Sequence, residues 1–154
     1  MRTATSPLVA VARGFAAGAV GTAVMTGYQL AVAKVRGSES SGAPAEVGRR
    51  IIEGVLQREV PPDRMEGLNN AMHVLYGTSW GPVYGIVQAS LGRPPIHHGA
   101  LFGVVVWTAS LIELPAMKIA PPVWETPPLE VALDLSYHLV YGIGVAGAFA
   151  LLDR

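Results

Sequence analysis

Long runs without charged residues alternate with short polar segments along this chain. The four longest runs lie between Arg13 and Lys34, Glu66 and Arg93, Arg93 and Glu113, and Asp134 and Asp153. These runs have 18 to 26 residues, and a helix needs about 20 to cross about 30 Å of hydrocarbon at 1.5 Å per residue. Helices on the surface of a soluble core would carry charges along their outer faces, which these runs lack. The pattern predicts an all-α fold, a bundle of four transmembrane helices.

Proline and glycine set the predicted boundaries of the helices within a single membrane domain of 154 residues. The four membrane helices are predicted at about residues 7–35, 68–91, 97–120 and 128–152. A short amphipathic helix is predicted at about residues 44–58 in the first long loop, because apolar residues recur there at helical spacing opposite charged ones. We expect this helix to lie on the membrane surface or to cap the bundle.

Composition agrees with this pattern and excludes several classes of protein. Only 14% of the residues are charged, against roughly 25% in an average soluble domain, and 51% are hydrophobic. The net charge is zero and there is no run of Lys and Arg, so nucleic acid is not expected as a partner. There is no cysteine, which excludes disulfides and thiolate metal sites. The expected partner is the lipid bilayer.

The second and fourth predicted helices resemble each other in sequence. The residues from His73 to Gly77 match those from His138 to Gly142, with Asn69 standing where the second copy has Asp134. The first and third helices align more loosely. The chain is therefore predicted to consist of two similar αα-hairpins in parallel repeat, related by an axis along the membrane normal.

Glycines recur every four residues on several of the predicted helices. Gly77, Gly81 and Gly85 do so on the second helix, and pairs on the first and third helices repeat the spacing. Small residues let helix backbones approach closely inside lipid, so we expect these faces to pack helices together. They would do so within the bundle, against a second copy of the chain, or against other membrane subunits.

Polar residues gather near one end of all four predicted helices, the end that carries the long loop. We refer to it as the long-loop end. An ionisable side chain that faces lipid costs several kcal/mol, so these residues are expected to turn inward and meet. The candidate polar site consists of Gln29, Asn69, His73, Tyr76, Glu113, Asp134, His138 and Tyr141.

This site is open to several interpretations. The polar groups can simply satisfy one another by hydrogen bonds across and along the helices. His73, Glu113, Asp134 and His138 are also nitrogen and oxygen ligands suited to a divalent transition metal. Haem held between the two histidines is a related hypothesis, with Gly77 and Gly142 leaving space for the ring.

Two further hypotheses concern transport and lipophilic ligands. Glu113 and the histidines are suited to a proton or ion relay, which would make the protein a small coupled transporter. A lipid or quinone headgroup site is the other hypothesis, with Trp80, Tyr84 and Trp107 as aromatic walls. There is no nucleophile elbow and no phosphate-binding loop, so an enzyme is expected only as an intramembrane type without these motifs, such as a metal- or haem-dependent one. The leading prediction is a membrane binding or accessory protein.

Several short motifs resemble those of a group of bacterial proteins. The stretch from Gly21 to Thr26, the Pro44-Ala-Glu46-Val segment, and His73 with Tyr76 and Gly77 are similar to motifs in small uncharacterised membrane proteins of the YagU-like kind. The resemblance implies a multi-pass protein of the bacterial inner membrane and supplies no activity.

An even number of crossings places both termini on one side. Lys and Arg are more frequent near the long-loop end, which favours a cytoplasmic location for that end.

Overall fold

The computed structural model describes residues 6–38, 41–91 and 96–153. Five α-helices make up most of them: α1 (Pro7–Arg36), α2 (Ala43–Leu56), α3 (Met65–Leu91), α4 (Ile96–Ala116) and α5 (Pro128–Leu152). Two single 3₁₀ turns, Pro62–Arg64 and Val123–Glu125, precede α3 and α5. These ranges contain no strand, which confirms the all-α prediction. The amphipathic helix in the first long loop is present as α2.

The end of α4 comes four residues earlier than predicted. Lys118 adopts a left-handed conformation with φ of 54°. Its N–H donates to the carbonyl of Pro115 at 2.8 Å, and the N–H of Ile119 donates to that of Leu114 at 2.9 Å. These two bonds form a Schellman motif, which satisfies the last carbonyls and stops the helix. The sequence did not indicate this end of α4, because a lysine occupies the left-handed position where glycine is usual.

α1 lies at the centre of the helix arrangement. It packs against α3 on one side and α5 on the other, while α4 packs against α5, and α2 packs against α3. Ion pairs between Arg13 and Asp153 and between Arg36 and Glu130 join opposite ends of α1 and α5, so these helices are antiparallel. Between α3 and α4 the contacts are made by side chains, without the close backbone packing of the other pairs.

Glycines allow the closest helix contacts. A Cβ atom added to Gly81 of α3 would lie 2.1 Å from the carbonyl oxygen of Gly14 of α1. One added to Gly142 of α5 would lie 2.0 Å from the carbonyl oxygen of Gly99 of α4. Real Cβ atoms never approach so closely, so the glycines are required for both contacts. The glycine faces predicted to pack helices are therefore used within one chain.

Large apolar side chains lie both in the core and on the surface of the helices. The core includes Val106, Val145 and Phe149. Buried positions include the polar residues Thr22, Gln88 and His138, whereas many large apolar side chains are exposed. Examples on the three helices discussed next are Leu8, Phe15, Val20, Val24, Leu101, Val105, Ile112, Ile143 and Leu151. Exposed apolar surface of this extent marks contact with another apolar phase, such as lipid.

Three of the described helices are long and apolar enough to cross a membrane. They are α1, α4 from His97 onward, and α5. α3 is as long as the others, with 27 residues, but does not reach their mean hydropathy because Asn, His, Gln and several hydroxyl residues interrupt its apolar positions. The prediction of four membrane helices is therefore supported for three of them. The fourth crossing and the internal repeat stay predictions.

Candidate functional site

Three hydrogen bonds connect predicted site residues on α3, α4 and α5 to neighbouring helices, in the half of the bundle nearer the long-loop end. The hydroxyl of Tyr76 on α3 donates to the Glu113 carboxylate on α4 at 2.9 Å. The indole N–H of Trp107 on α4 donates to the carboxylate of Asp134 on α5, also at 2.9 Å. The hydroxyl of Tyr141 on α5, only 1% exposed, donates to the carbonyl oxygen of Gly77 on α3 at 2.6 Å. The predicted site residues on α3, α4 and α5 are thus linked across the helices.

His138 is more enclosed than the other His, Asp and Glu residues of this group, with 8% of its surface exposed. Its Nδ1 atom lies 2.8 Å from the backbone carbonyl oxygen of Asp134, one turn earlier on α5. A carbonyl oxygen only accepts hydrogen bonds, so Nδ1 must carry the proton. In the neutral ring the Nε2 atom therefore holds a lone pair and acts as an acceptor.

His73 has a buried nitrogen without a partner. Its Nε2 atom is shielded from solvent and makes no hydrogen bond to any described residue. His73 lies one turn before Gly77 on α3, and His138 lies one turn before Tyr141 on α5, whose hydroxyl donates to the Gly77 carbonyl. A buried polar atom left unpaired costs about 1–3 kcal/mol, so this atom is an unexplained polar group of the site. The buried hydroxyls of Thr78 and Tyr84, farther along α3, also make no hydrogen bond to any described residue.

Both histidines of the candidate site lie well inside their helices. α3 begins at Met65, three residues before its predicted start, so His73 is eight residues into the helix, or about 12 Å at 1.5 Å per residue. His138 is ten residues after Pro128, the first residue of α5, or about 15 Å. Both histidines therefore lie more than two helical turns from the start of their helices.

Two predicted members of the site do not join it. Asn69 instead accepts a hydrogen bond at 3.0 Å from the backbone N–H of Ala45, in the first turn of α2. The N-cap residue of α2 is Gly42, which has no side chain to cap the helix, so Asn69 supplies the cap from α3. Gln29 is half-buried on α1, and no hydrogen bond connects it to the other site residues in the described ranges.

The metal hypothesis is not supported. Among the described residues, no group of three or more His, Asp or Glu side chains is close enough together to hold a metal ion. Glu113 is bound by Tyr76 and Asp134 by Trp107, and both carboxylates lie on the more exposed side of the site. His73, Glu113, Asp134 and His138 therefore do not form the predicted ligand set.

The space that the haem hypothesis required is occupied by neighbouring helices. A Cβ atom on Gly77 would lie 2.2 Å from the hydroxyl oxygen of Thr22 on α1. Gly142 faces the backbone of Gly99 and Gly103 on α4. Both glycines pack helices and leave no room for a porphyrin ring beside the histidines.

One contact at this end was missed by the sequence reasoning. The guanidinium group of Arg50 on α2 donates to the backbone carbonyl of Met117, and to that of Lys118 at 3.3 Å, at the end of α4. α2 is thereby fastened to α4 as well as to α3. No sequence signal could have revealed it, because the acceptors are backbone atoms 67 and 68 residues away.

Another polar contact lies at the opposite end of the bundle. The amide oxygen of Gln88 on α3, which is 2% exposed, lies 3.1 Å from Nδ1 of His98 on α4. His97 packs its ring edge-to-face against His98. Between this contact and the histidine site, Tyr84, Phe102 and Phe149 form an aromatic cluster. The two polar regions are therefore separated by aromatic rings.

Fold and site together define a helical protein with several helices suited to a membrane and a polar site among them. The chain belongs to a family of unknown function, DUF6789, whose sequence profile matches residues 8–154. No curated protein and no solved structure matches the chain. The family is an uncharacterised one, as the resemblance implied, while the narrower likeness to YagU-like proteins is not confirmed.

Proposed function

We propose that the protein crosses the membrane four times, with α3 as the fourth crossing. No charged residue lies between Glu66 and Arg93. The residues of α3 that face away from α1 include large exposed apolar side chains: Val74, Leu75, Val83, Ile86, Val87 and Leu91. Since α3 runs antiparallel along α1, a bilayer that surrounds α1 also surrounds α3. Hairpins α1–α3 and α4–α5 then correspond to the two predicted repeats.

The location is proposed on the same grounds. A bacterial inner membrane accommodates such a bundle, with both termini on one side and the long-loop end toward the cytoplasm. Arg36 and Arg50 lie at that end, although each pairs with a glutamate, Arg36 with Glu130 and Arg50 with Glu46.

The crossing of α3 can be tested with single cysteines, because the chain has none of its own. Gly67 and Ser90 lie near opposite ends of α3, and both are exposed. We expect a membrane-impermeant maleimide to label Gly67→Cys and Ser90→Cys from opposite sides of the membrane. Labelling of intact and permeabilised cells measures this. Labelling of both positions from the same side would show that α3 does not cross.

Within this membrane bundle we propose a binding module rather than an enzyme. The observation that carries the proposal is the buried, unpaired Nε2 atom of His73 on α3, in the half of the bundle nearer the long-loop end. A buried donor or acceptor without a partner destabilises the protein. A ligand that forms a hydrogen bond with it would remove this penalty and bind more tightly as a result.

The ligand expected there is lipophilic and carries a hydrogen-bonding head, as a lipid or a quinone does. It would enter from the bilayer between α3 and α4, where side chains alone close the gap. Tyr76 and Trp80 pack edge-to-face on α3, and Trp80 packs in the same way against Phe102 on α4, so an aromatic wall follows the entrance. Entry requires the hydrogen bond between Tyr76 and Glu113 to open.

The ligand proposal is tested by extracting the protein in nanodiscs cut directly from its own membrane. Mass spectrometry should find a lipophilic molecule enriched over empty nanodiscs. His73→Leu should lower that enrichment about fivefold or more, since one hydrogen bond contributes about 1 kcal/mol. His97→Leu, a change to an exposed histidine at the other end, should leave it unchanged. A lipid profile identical to that of empty nanodiscs would refute the binding module.

The same preparation addresses the accessory role. A membrane subunit retained at constant ratio would support action as part of a complex, and isolation of the chain alone would argue against it.

The relay hypothesis is less favoured, because the aromatic cluster of Tyr84, Phe102 and Phe149 separates the polar groups at the two ends.

A further inference from the structure

Helix α2 covers only part of its apolar surface against the rest of the chain. Ala45 and Gly48 are buried, and a Cβ atom on Gly48 would meet the side chains of Leu68 and Met72 on α3. Farther around the helix, Ile51 and Val55 are 48% and 74% exposed. These two residues are one turn apart and form a row that we call the apolar edge of α2.

The position of α2 is fixed by three contacts with helices of the bundle. Asn69 on α3 caps its first turn, Gly48 packs against α3, and Arg50 binds the carbonyls that follow the end of α4. Since α4 is one of the membrane-capable helices, its end marks the level of the membrane boundary. α2 is therefore held at the level where hydrocarbon gives way to water.

Other exposed apolar groups lie in the same region. Trp124, in the connection that follows the Arg50 contact, is 81% exposed. Leu56, at the end of α2, and Leu129, in the first turn of α5, are each 61% exposed. Tryptophan is enriched at the boundary between lipid and water because its ring is apolar and its N–H group is polar.

The charges of α2 neutralise one another. Arg49 pairs with Glu46 at 2.6 Å and also with Glu53, while Arg50 pairs with Glu46 at 2.9 Å. Hydrogen bonds from Arg49 and Arg50 lower the pKa of Glu46 to about 2, so this carboxylate remains ionised at neutral pH. Two arginines and two glutamates give the helix no net charge and leave neither arginine unpaired.

We propose that α2 is an interfacial helix whose partner is the lipid surface, bound by insertion of its apolar edge and not by attraction to anionic headgroups. Basic amphipathic helices bind anionic lipid through Lys and Arg that face the headgroups. In α2 both arginines are already engaged, so only the apolar edge remains for lipid. The inference rests on the proposed membrane location and extends it to a helix that does not span the bilayer.

Spin labels on single cysteines test the depth of α2 in the unmodified full-length background. The probe position is Val55→Cys on the apolar edge, and the matched control is Glu53→Cys on the charged face. Val105→Cys, in the middle of α4, reports the hydrocarbon. Accessibility to oxygen, which concentrates in lipid, and to a water-soluble nickel chelate is measured in phosphatidylcholine vesicles with and without phosphatidylglycerol.

The ratio of oxygen to nickel accessibility should be several-fold higher at Val55 than at Glu53, and highest at Val105. It should not change with the fraction of phosphatidylglycerol or with salt, because the charges of α2 sum to zero and each arginine is paired with a glutamate. If the label at position 55 is exposed to water while the label at position 105 is exposed to lipid, the inference about α2 is wrong and the membrane location still holds. Exclusion of both reagents at Val55 would overturn it as well, by showing a protein cover. Nickel access at Val105 would refute the membrane location itself.

Discussion

Replacement of Gly142 by alanine is expected to destabilise the bundle strongly. The added methyl group would lie 2.0 Å from the carbonyl oxygen of Gly99 and 2.6 Å from the backbone nitrogen of Gly103. Backbone atoms cannot rotate out of the way as a side chain does, so α4 and α5 must separate. Overpacking of a tight core costs about 1–3 kcal/mol, and we expect the upper end of that range or loss of the fold. Thermal unfolding in detergent measures it.

Gly147→Ala is the matched control on the same helix. No atom lies within 4 Å of the Cβ position there, so the methyl group meets open space. Alanine also favours a helix over glycine by up to about 1 kcal/mol, so this variant should be as stable as the parent or slightly more so. Equal stability of Gly142→Ala and Gly147→Ala would contradict the close contact between α4 and α5.

Removal of the side-chain amide of Asn69 is expected to loosen α2 while leaving the spanning helices in place. Asn69→Ala deletes the acceptor for the N–H of Ala45, and Gly42 offers no replacement. Loss of a helix cap costs about 0.5–2 kcal/mol. Amide exchange within α2 occurs through local opening of this helix. A cap loss of about 1–2 kcal/mol should therefore accelerate that exchange about five- to thirtyfold. Hydrogen exchange followed by mass spectrometry measures the change over residues 43–56.

Two variants decide whether the effect belongs to the cap. Asn70→Ala changes an exposed neighbour and should exchange like the parent protein. Asn69→Asp keeps an acceptor and adds a negative charge near the N-terminus of α2, so it should protect the helix at least as well as asparagine. If all three variants exchanged alike, Asn69 would have no capping role.

Much of the fold was predictable because membrane helices depend on local composition. Long uncharged runs predicted the existence of α1, α3, α4 and α5, and apolar periodicity predicted α2. Helix ends were less accurate. A lysine at the left-handed position ended α4 early, and the 3₁₀ turn at Pro62–Arg64 leads into α3 before its predicted start.

For the candidate site, the sequence predicted a set of residues but not which of them form hydrogen bonds with each other. Helical spacing predicted that His73 and Tyr76 share a face of one helix, and that His138 and Tyr141 share a face of another. It could not show that Glu113 binds Tyr76 or that Asp134 binds Trp107, since both contacts depend on helix rotation and depth. The metal set failed for that reason, because the right residue types did not come close enough together.

The sequence by itself determined the helical class, the apolar runs, the amphipathic loop helix and the concentration of polar residues near one end. These follow from local composition and periodicity, which act within a single segment. Only the tertiary structure decided that α1 occupies the centre, that the glycines pack helices of the same chain, that Asn69 caps α2 and that the Nε2 atom of His73 is left unpaired. Each of these depends on which helices meet and at what rotation, and that is set by backbone contacts between distant segments.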